Sequence, residues 1–360
     1  MKFFSGYDFT IVISSFLLLA ISLIVLSSLD GALFRNQVLF ASLGIFGFIL
    51  FSLLNVRALK NIRLPFYIGA LLLFILTFAI GSQVRGARRW IEIAGLTIQT
   101  SELVKPFLIL AFASLLSQWR GKITLGRLIL WSLFFSPIIF LLARQPDLGS
   151  VLVYLITFVF MLIAAGINMW YFWTGGFLFI ISTPIVWRLL ADYQKNRIIT
   201  FLNPKHDPLG IGYNAIQSTI AVGSGLLLGR GLGKGVQSQL AFLPERHTDF
   251  IFATFSEQFG FAGALIVLAL YFFLLLRILQ IAKNCKSQFE TYIALGVFTF
   301  ILAQAFINIG MNMGIVPITG VTLPLLSYGG SSIISTLIAL GIVNAIARDM
   351  RQKQNTLEIR

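Results

Sequence analysis

Charge is scarce in this chain. Asp, Glu, Lys and Arg together make up 11% of its 360 residues, less than half of the roughly 25% with which a soluble domain wets its surface, and this argues against a soluble enzyme. Cysteine is scarcer still: Cys285 stands alone, so no intrachain disulfide can form. Two histidines, His206 and His247, are too few for a protein zinc site, which needs about three or four ligands. Disorder is excluded by the 35 Phe and the 58% of hydrophobic residues. No internal repeat divides the chain into the paired halves of many transporters. Acids are the rarer charge, 13 against 27 Lys and Arg, which leaves a formal net charge of +14. In so apolar a chain that excess points to anionic lipid and positively charged cytoplasmic loops, not to nucleic acid.

What is abundant is uninterrupted apolar sequence, and a helix needs about 20 such residues to cross roughly 30 Å of hydrocarbon. The charge-free stretches 9–29, 36–56 and 64–84 predict spans near 9–28, 37–55 and 65–82. A fourth, 101–118, opens with Glu102 and Lys105, and a fifth covers 128–143. Residues 148–187 carry no charge and are too long for one span; Gly166, Ile167 and Asn168 break them into a sixth and a seventh. Residues 188–257 hold seven basic and five acidic groups and both histidines, and read as a large extramembrane loop. Spans near 258–276, 291–313 and 328–347 follow. The expectation is an all-α integral membrane protein of about ten transmembrane helices. It forms one membrane domain, 1–360, with an extracytoplasmic loop at 188–257 between spans seven and eight.

With the amino terminus placed inside, 14 of the 27 basic residues fall in inner loops and five in short outer ones. The positive-inside rule then makes both termini cytoplasmic. Residues 9–28 are a full-length span without a small-residue cleavage site, so no cleaved leader is expected. Nine of the 13 carboxylates lie on or near the outer side, so carboxylate chemistry is expected there.

Five clusters carry chemistry-bearing residues. Arg85, Arg88, Arg89 and Trp90 sit in an outer loop, where guanidinium groups suit either an anionic ligand or lipid headgroups. Glu102 and Lys105, three residues apart on one helix face, form either a structural ion pair or part of a polar cavity. Arg144 and Asp147 mark a span end, where a turn capped by Asp is the default reading. Within the long loop, alternating glycines at 229, 231, 233 and 235 suit tight turns, and Asp249 precedes the apolar run 250–255. A carboxylate entering such ground suits a general base, and a helix N-cap fits equally. Asn308, Gly310, Asn312 and Gly314 combine amides with a GxxxG packing pair.

Taken together, these motifs resemble the SEDS family (shape, elongation, division and sporulation) of bacterial cell-wall proteins, known from RodA, FtsW and SpoVE. The resemblance runs over nearly the whole chain: Arg88, Arg89 and Trp90; Ser101, Glu102, Lys105 and Pro106; Gln145, Pro146, Asp147 and Gly149; Asn203-Pro204 with Asp207-Pro208; Gln217-Ser218; Leu243-Pro244-Glu245 with His247-Thr248-Asp249-Phe250; and 320–332. Two departures stand out. Thr100 replaces the proline of the family's Gln-Pro-Ser-Glu, and Glu257-Gln258 replaces an acidic pair. Short termini are more similar to RodA than to FtsW.

The resemblance implies a peptidoglycan glycosyltransferase that polymerises lipid II, a disaccharide-pentapeptide on undecaprenyl pyrophosphate, on the outer face of the bacterial cytoplasmic membrane during elongation. It places Asp249 as the catalytic base of an inverting attack. Arg88, Arg89, Lys105 and Arg144 are then the cations for the pyrophosphate, with a divalent cation (Mg or Mn) as a further candidate. Glu102 would orient Lys105, Asp147 would support, and Glu245 and His247 would be neighbours. Expected partners are a class B penicillin-binding transpeptidase and other elongation proteins. A lipid II flippase and a non-catalytic scaffold are the rival readings.

Overall fold

The protein is described here from a computed structural model, which covers residues 7–358 except 85, 86, 94, 95, 120, 122, 208, 209 and 241; the side chains of 83, 84, 87, 88, 93, 96, 189, 205 and 353–358 also lie outside the described set. Short polar caps start the first helices. Asp8 accepts the Ile11 N–H at 3.4 Å and opens α1 (Phe9–Leu29). Asp30 alone separates α1 from α2 (Gly31–Ser52), accepting the Ala32 N–H at 2.6 Å. After a 3-10 helix, Val56–Ile62, the chain rises as α3 (Arg63–Ile80).

A three-stranded antiparallel sheet follows: β1 (Ser82–Val84), β2 (Ala87–Ile93) and β3 (Leu96–Gln99), paired in that order. An all-α reading did not foresee it. Its sequence signal is brief, an alternation in which Ile91 is buried and Glu92 exposed, as a period of two requires. Then come α4 (Thr100–Leu103), α5 (Lys105–Ser117), α6 (Leu125–Arg144), α7 (Leu148–Ala164) and α8 (Met169–Leu189). The break between α7 and α8 falls at Gly166, whose φ of 86° is a glycine conformation, and Asn168 caps α8 through the Trp170 N–H at 3.0 Å.

The predicted long loop is largely helical: α9 (Asp192–Leu202), α10 (Ile211–Ser224) and the single turn α11 (Val236–Gln239). Its end also differs from the expected 257, because α12 (Ile251–Asn284) starts at Ile251. Glu257 looks in sequence like a loop charge, yet it is fully buried. Its two oxygens accept the Gln237 and Ser238 N–H groups at 2.8 and 3.0 Å and so cap α11. Three residues on, Gly260 breaks α12 with a φ of 68°. The segment 226–231 enters this break: Phe261 and Ala262 donate to the carbonyls of Leu226 and Leu227, and Arg230 and Gly231 donate to those of Glu257 and Gln258, all within 3.0 Å. A broken helix is tolerable at membrane depth only with such substitutes for its own hydrogen bonds. Gly229, Gly231 and Gly233 all have positive φ, in keeping with the tight turns expected of them.

The last helices are α13 (Gln288–Asn312) and α14 (Gly330–Glu358). Among the described residues, eight helices are long and apolar enough to cross a membrane, and α5 and α7 are shorter apolar helices. The centre of the bundle is α14, with 94% of its apolar window buried, whereas α8 buries none. α2 reaches α14 closely because Gly44 and Gly341 leave room; a Cβ on Gly44 would lie 2.5 Å from Leu337 Cδ1, and one on Gly341 2.6 Å from the Phe48 carbonyl. The expected Gly310–Gly314 packing pair is not one: Gly314, at φ 72°, lies just past α13 and terminates it, while Gly310 faces Val316 of the following loop. At the end of the bundle that holds the amino terminus, buried Asp8 pairs with Arg277 of α12 at 2.7 Å and with Arg351 of α14 at 2.8 Å.

Candidate active site

At the opposite end of the bundle, the loop 243–250 is fixed by its carbonyls. The Tyr328 N–H donates to His247 O at 2.8 Å and the Ser327 hydroxyl to Thr248 O at 2.7 Å. Asp249 O accepts from both Asn308 Nδ2, at 2.9 Å, and Asn312 Nδ2, at 3.0 Å, side chains one turn apart on α13. Three consecutive carbonyls are thus held by the C-terminal third of the chain. The N-cap position of α12 falls on Phe250, one residue after Asp249. The Asp249 carboxylate faces Gly320, where a Cβ would sit 3.4 Å from Oδ2, and the φ of 75° there independently favours glycine.

The strip 319–321 is the hub of the site. Asn308 Nδ2 also donates to Val321 O at 2.7 Å. Arg197 of α9 donates through Nη1 to Thr319 O at 3.0 Å. From the other side, Gly149 in the first turn of α7 abuts the strip so closely that a Cβ would lie 2.8 Å from Thr319 O and 2.6 Å from Val321 Cγ2. One short segment therefore touches the Asp249 loop, the α9 arginine and the start of α7.

That start of α7 is organised by Asp147. Its carboxylate accepts the Ser150 N–H at 3.2 Å, the Ser101 hydroxyl at 3.0 Å and Gln99 Nε2 at 3.1 Å, and Arg89 Nη1 on β2 lies 3.7 Å away. The capping role read from sequence is real, and an arginine has been added to it. Arg89 and Arg197 belong to one electrostatic field. Burial, followed by the like charge of Arg89, pulls the Arg197 guanidinium pKa below its ordinary value, while Asp249, Tyr193 and Asp147 oppose that shift. Tyr193, on the same helix, is raised mainly by burial, against the pull of Arg197 and Arg89. Arg197 also lines a cavity of about 380 Å³ between α9, α10 and the end of α13, walled otherwise by Thr200, Thr219 and mostly apolar residues such as Phe201, Ile216, Met311 and Ile318.

Not every expected residue joins this group. Glu102 and Lys105 do pair, and both are buried; Gln304 Nε2 of α13 adds a hydrogen bond to Glu102 at 3.3 Å, and Lys105 Nζ lies 6.0 Å from the Phe300 ring centre. Arg144 is exposed at the end of α6, with its guanidinium 5.2 Å from the Phe140 ring centre. The Arg88 side chain lies outside the described residues. Glu245 and His247 flank the loop; the His247 ring meets Tyr328 edge-on at 5.5 Å. Arg197 was missed by sequence reasoning. Its one local signal is the i, i+4 spacing from Tyr193, while its hydrogen-bond partner is 122 residues away.

Among the described residues, no three His, Cys, Asp or Glu side chains gather as a metal site. The described residues alone do not supply the ligand set of a resident divalent cation.

Comparison with known proteins agrees with these observations. The family model for FtsW, RodA and SpoVE, described as a cell cycle protein, matches residues 2–352. Escherichia coli K12 peptidoglycan glycosyltransferase MrdB is 41% identical over 282 residues, which is 78% of this chain and 76% of that protein. A probable peptidoglycan glycosyltransferase FtsW of Geobacter metallireducens is 36% identical over 89% of this chain and 87% of its own. Among solved structures, a chain from work headed "Structural coordination of polymerization and crosslinking by a peptidoglycan synthase complex" superposes with a TM-score of 0.84 at 31% identity, covering 97% of this chain and 100% of that one. Thermus thermophilus rod shape determining protein RodA superposes at 0.73 with 30% identity, over 96% and 98% of the two chains. Polytopic helical architecture, motif order and similarity along nearly the whole length converge, and the chain belongs to the FtsW/RodA/SpoVE family.

Proposed function

We propose that this chain is a peptidoglycan glycosyltransferase that polymerises lipid II at the outer face of the cytoplasmic membrane, with Asp249 as general base. The observation that carries the reading is the Asp249 carboxylate itself, set beside Gly320 on a backbone gripped by Asn308 and Asn312. In this mechanism the acceptor sugar's hydroxyl gives its proton to Asp249 as its oxygen attacks the donor's anomeric carbon. The attack comes from the face opposite the leaving pyrophosphate, and the configuration inverts. Negative charge grows on the departing phosphate oxygen, and Arg197 and Arg89 are the preorganised cations nearest to that role. The apolar cavity beside Arg197 suits the lipid chain that follows the pyrophosphate.

The same proposal includes ten membrane crossings with both termini cytoplasmic, supported by the basic residues that cluster at the amino-terminal end of the bundle. It also includes a role in elongation beside a class B penicillin-binding transpeptidase and other elongation proteins. The Glu102–Lys105 pair, being buried, acts here by holding α5 to α13 beneath the site, and Arg144 is left at its rim.

The test is polymerisation of labelled lipid II by the purified chain, with and without the penicillin-binding partner, comparing the native protein with Asp249→Ala and Asp249→Asn. Glycan strands are expected from the native chain alone. Equal strands from the variants would remove Asp249 from the reaction; no strands from any form, with lipid II crossing liposome membranes, would favour a flippase.

A further inference from the structure

A second cavity, of about 630 Å³, lies at the other end of the bundle, between the 3-10 helix 56–62 with the start of α3, the end of α5, and α6. Its size falls within the roughly 300–1,000 Å³ usual for ligand pockets. Two hydrogen bonds fix its walls. The Ser114 hydroxyl of α5 donates to Lys60 O at 2.7 Å, and the Tyr67 hydroxyl of α3 donates to Phe134 O of α6 at 2.6 Å. The lining is amphipathic: Asn61 and Arg63 at one side, then Leu64, Leu115, Trp131 and Leu133. Leu64 and Leu133 are 55% and 62% exposed, so the apolar side opens where the bundle meets lipid.

The polar side lacks a counter-charge. Arg63 Nη1 is buried without a hydrogen-bond partner within the protein, and an unpaired charged donor is more costly than a neutral one. Glu290 pairs with Arg57 at 3.0 Å; among the described residues, neither Lys60 nor Arg63 has a carboxylate partner. Arg63 stands where the 3-10 helix 56–62 runs directly into α3, a junction without a side-chain cap. An anion on the guanidinium would supply the missing counter-charge.

We propose that this cavity binds an anionic glycerophospholipid, its phosphate on Arg63 and its acyl chain along Leu64, Leu115 and Leu133. The leaflet is the cytoplasmic one if the orientation given under Proposed function holds, but the site itself is independent of the catalytic reading. Charge complementarity selects the anionic headgroup, and the lateral opening selects a molecule that arrives from the bilayer.

The experiment uses the full chain in neutral detergent and follows thermal unfolding as dioleoylphosphatidylglycerol, dioleoylphosphatidylcholine or inorganic phosphate is titrated. Phosphatidylglycerol should stabilise the native protein at lower concentration than phosphatidylcholine. Arg63→Gln should weaken that preference by about tenfold, the loss of one charge-assisted hydrogen bond. Lys286→Gln, which removes an equal charge elsewhere at the same end, should not. Leu133→Trp keeps every cation but narrows the opening and should also weaken it, which covers the case in which Arg63→Gln does not fold. An unchanged preference in Arg63→Gln, or in Leu133→Trp when that is the variant that folds, overturns the site. A full response to inorganic phosphate alone overturns the lipid and leaves a simple anion site.

Discussion

Asn308 joins Asp249 to the strip 319–321: its Nδ2 donates to Asp249 O at 2.9 Å and to Val321 O at 2.7 Å. One amide thereby sets the distance between the loop that carries the carboxylate and the strip that carries Gly320. Asn308→Ala leaves Val321 O buried and unpaired, at a cost of about 1–3 kcal/mol. Misplacing a catalytic group by about 1 Å can cost a hundredfold in rate, so turnover should fall by roughly tenfold to a hundredfold while lipid II still binds. Strand synthesis and thermal unfolding, measured together, check this; native turnover in a destabilised variant would show that Asn308 holds the fold and not the base.

Arg197 yields a pH signature. Burial and the charge of Arg89 lower its pKa, yet an arginine starts high enough to remain a cation at any physiological pH. Lysine at the same position would feel the same two effects from a lower starting value. Its folded pKa is depressed, so its charge is complete at low pH and is lost as pH rises through that value. The Arg197→Lys enzyme should therefore fall progressively further behind the native one as the pH is raised towards the ordinary lysine value of about 10.4. A ratio of activities that stays flat over this range would remove the pyrophosphate role from Arg197.

The parts of this molecule legible in sequence are those governed by local rules. Charge-free stretches located the helices, the Gly166 break was visible, and Asp147 was recognised as a cap. Longer-range facts were not. The early start of α12 was hidden because Glu257 looks like a loop charge; only its hydrogen bonds to Gln237 and Ser238, about twenty residues upstream, reveal it as buried. The spacing of Asn308 and Asn312 put two amides on one face of α13, but nothing local says that they meet at Asp249 O. Arg197 sits among polar residues on α9 and acquires meaning only through Thr319. Candidate residues could therefore be named from sequence, while the contacts that join them could not.

Cys285, just past the end of α12, offers a check on burial at the amino-terminal end of the bundle. Burial, with a smaller push from Glu290, raises its thiol to about 12. A free cysteine at about 8.5 would carry on the order of a thousandfold more thiolate near pH 8. Iodoacetamide should accordingly label the native protein very slowly at that pH, with labelling accelerating as the pH rises and on unfolding in detergent and urea. Prompt labelling of the folded chain would contradict the raised thiol of this half-buried cysteine.

Glu102 and Lys105 allow stability and catalysis to be separated. They form a buried ion pair joined by Gln304, so removing one partner strands a charge in the bundle. Lys105→Met and Glu102→Gln should each destabilise by about 3–5 kcal/mol, and the double variant should recover much of that loss because no charge remains unpaired. If the pair only holds α5 to α13, polymerisation should recover along with stability in the double variant. If Lys105 also stabilises the leaving pyrophosphate, as its sequence position suggested, the double variant should be stable and still inactive. Thermal unfolding and lipid II polymerisation on the same four proteins distinguish these outcomes. The depth of Lys105, at 2% exposure beside the Phe300 ring, favours the first.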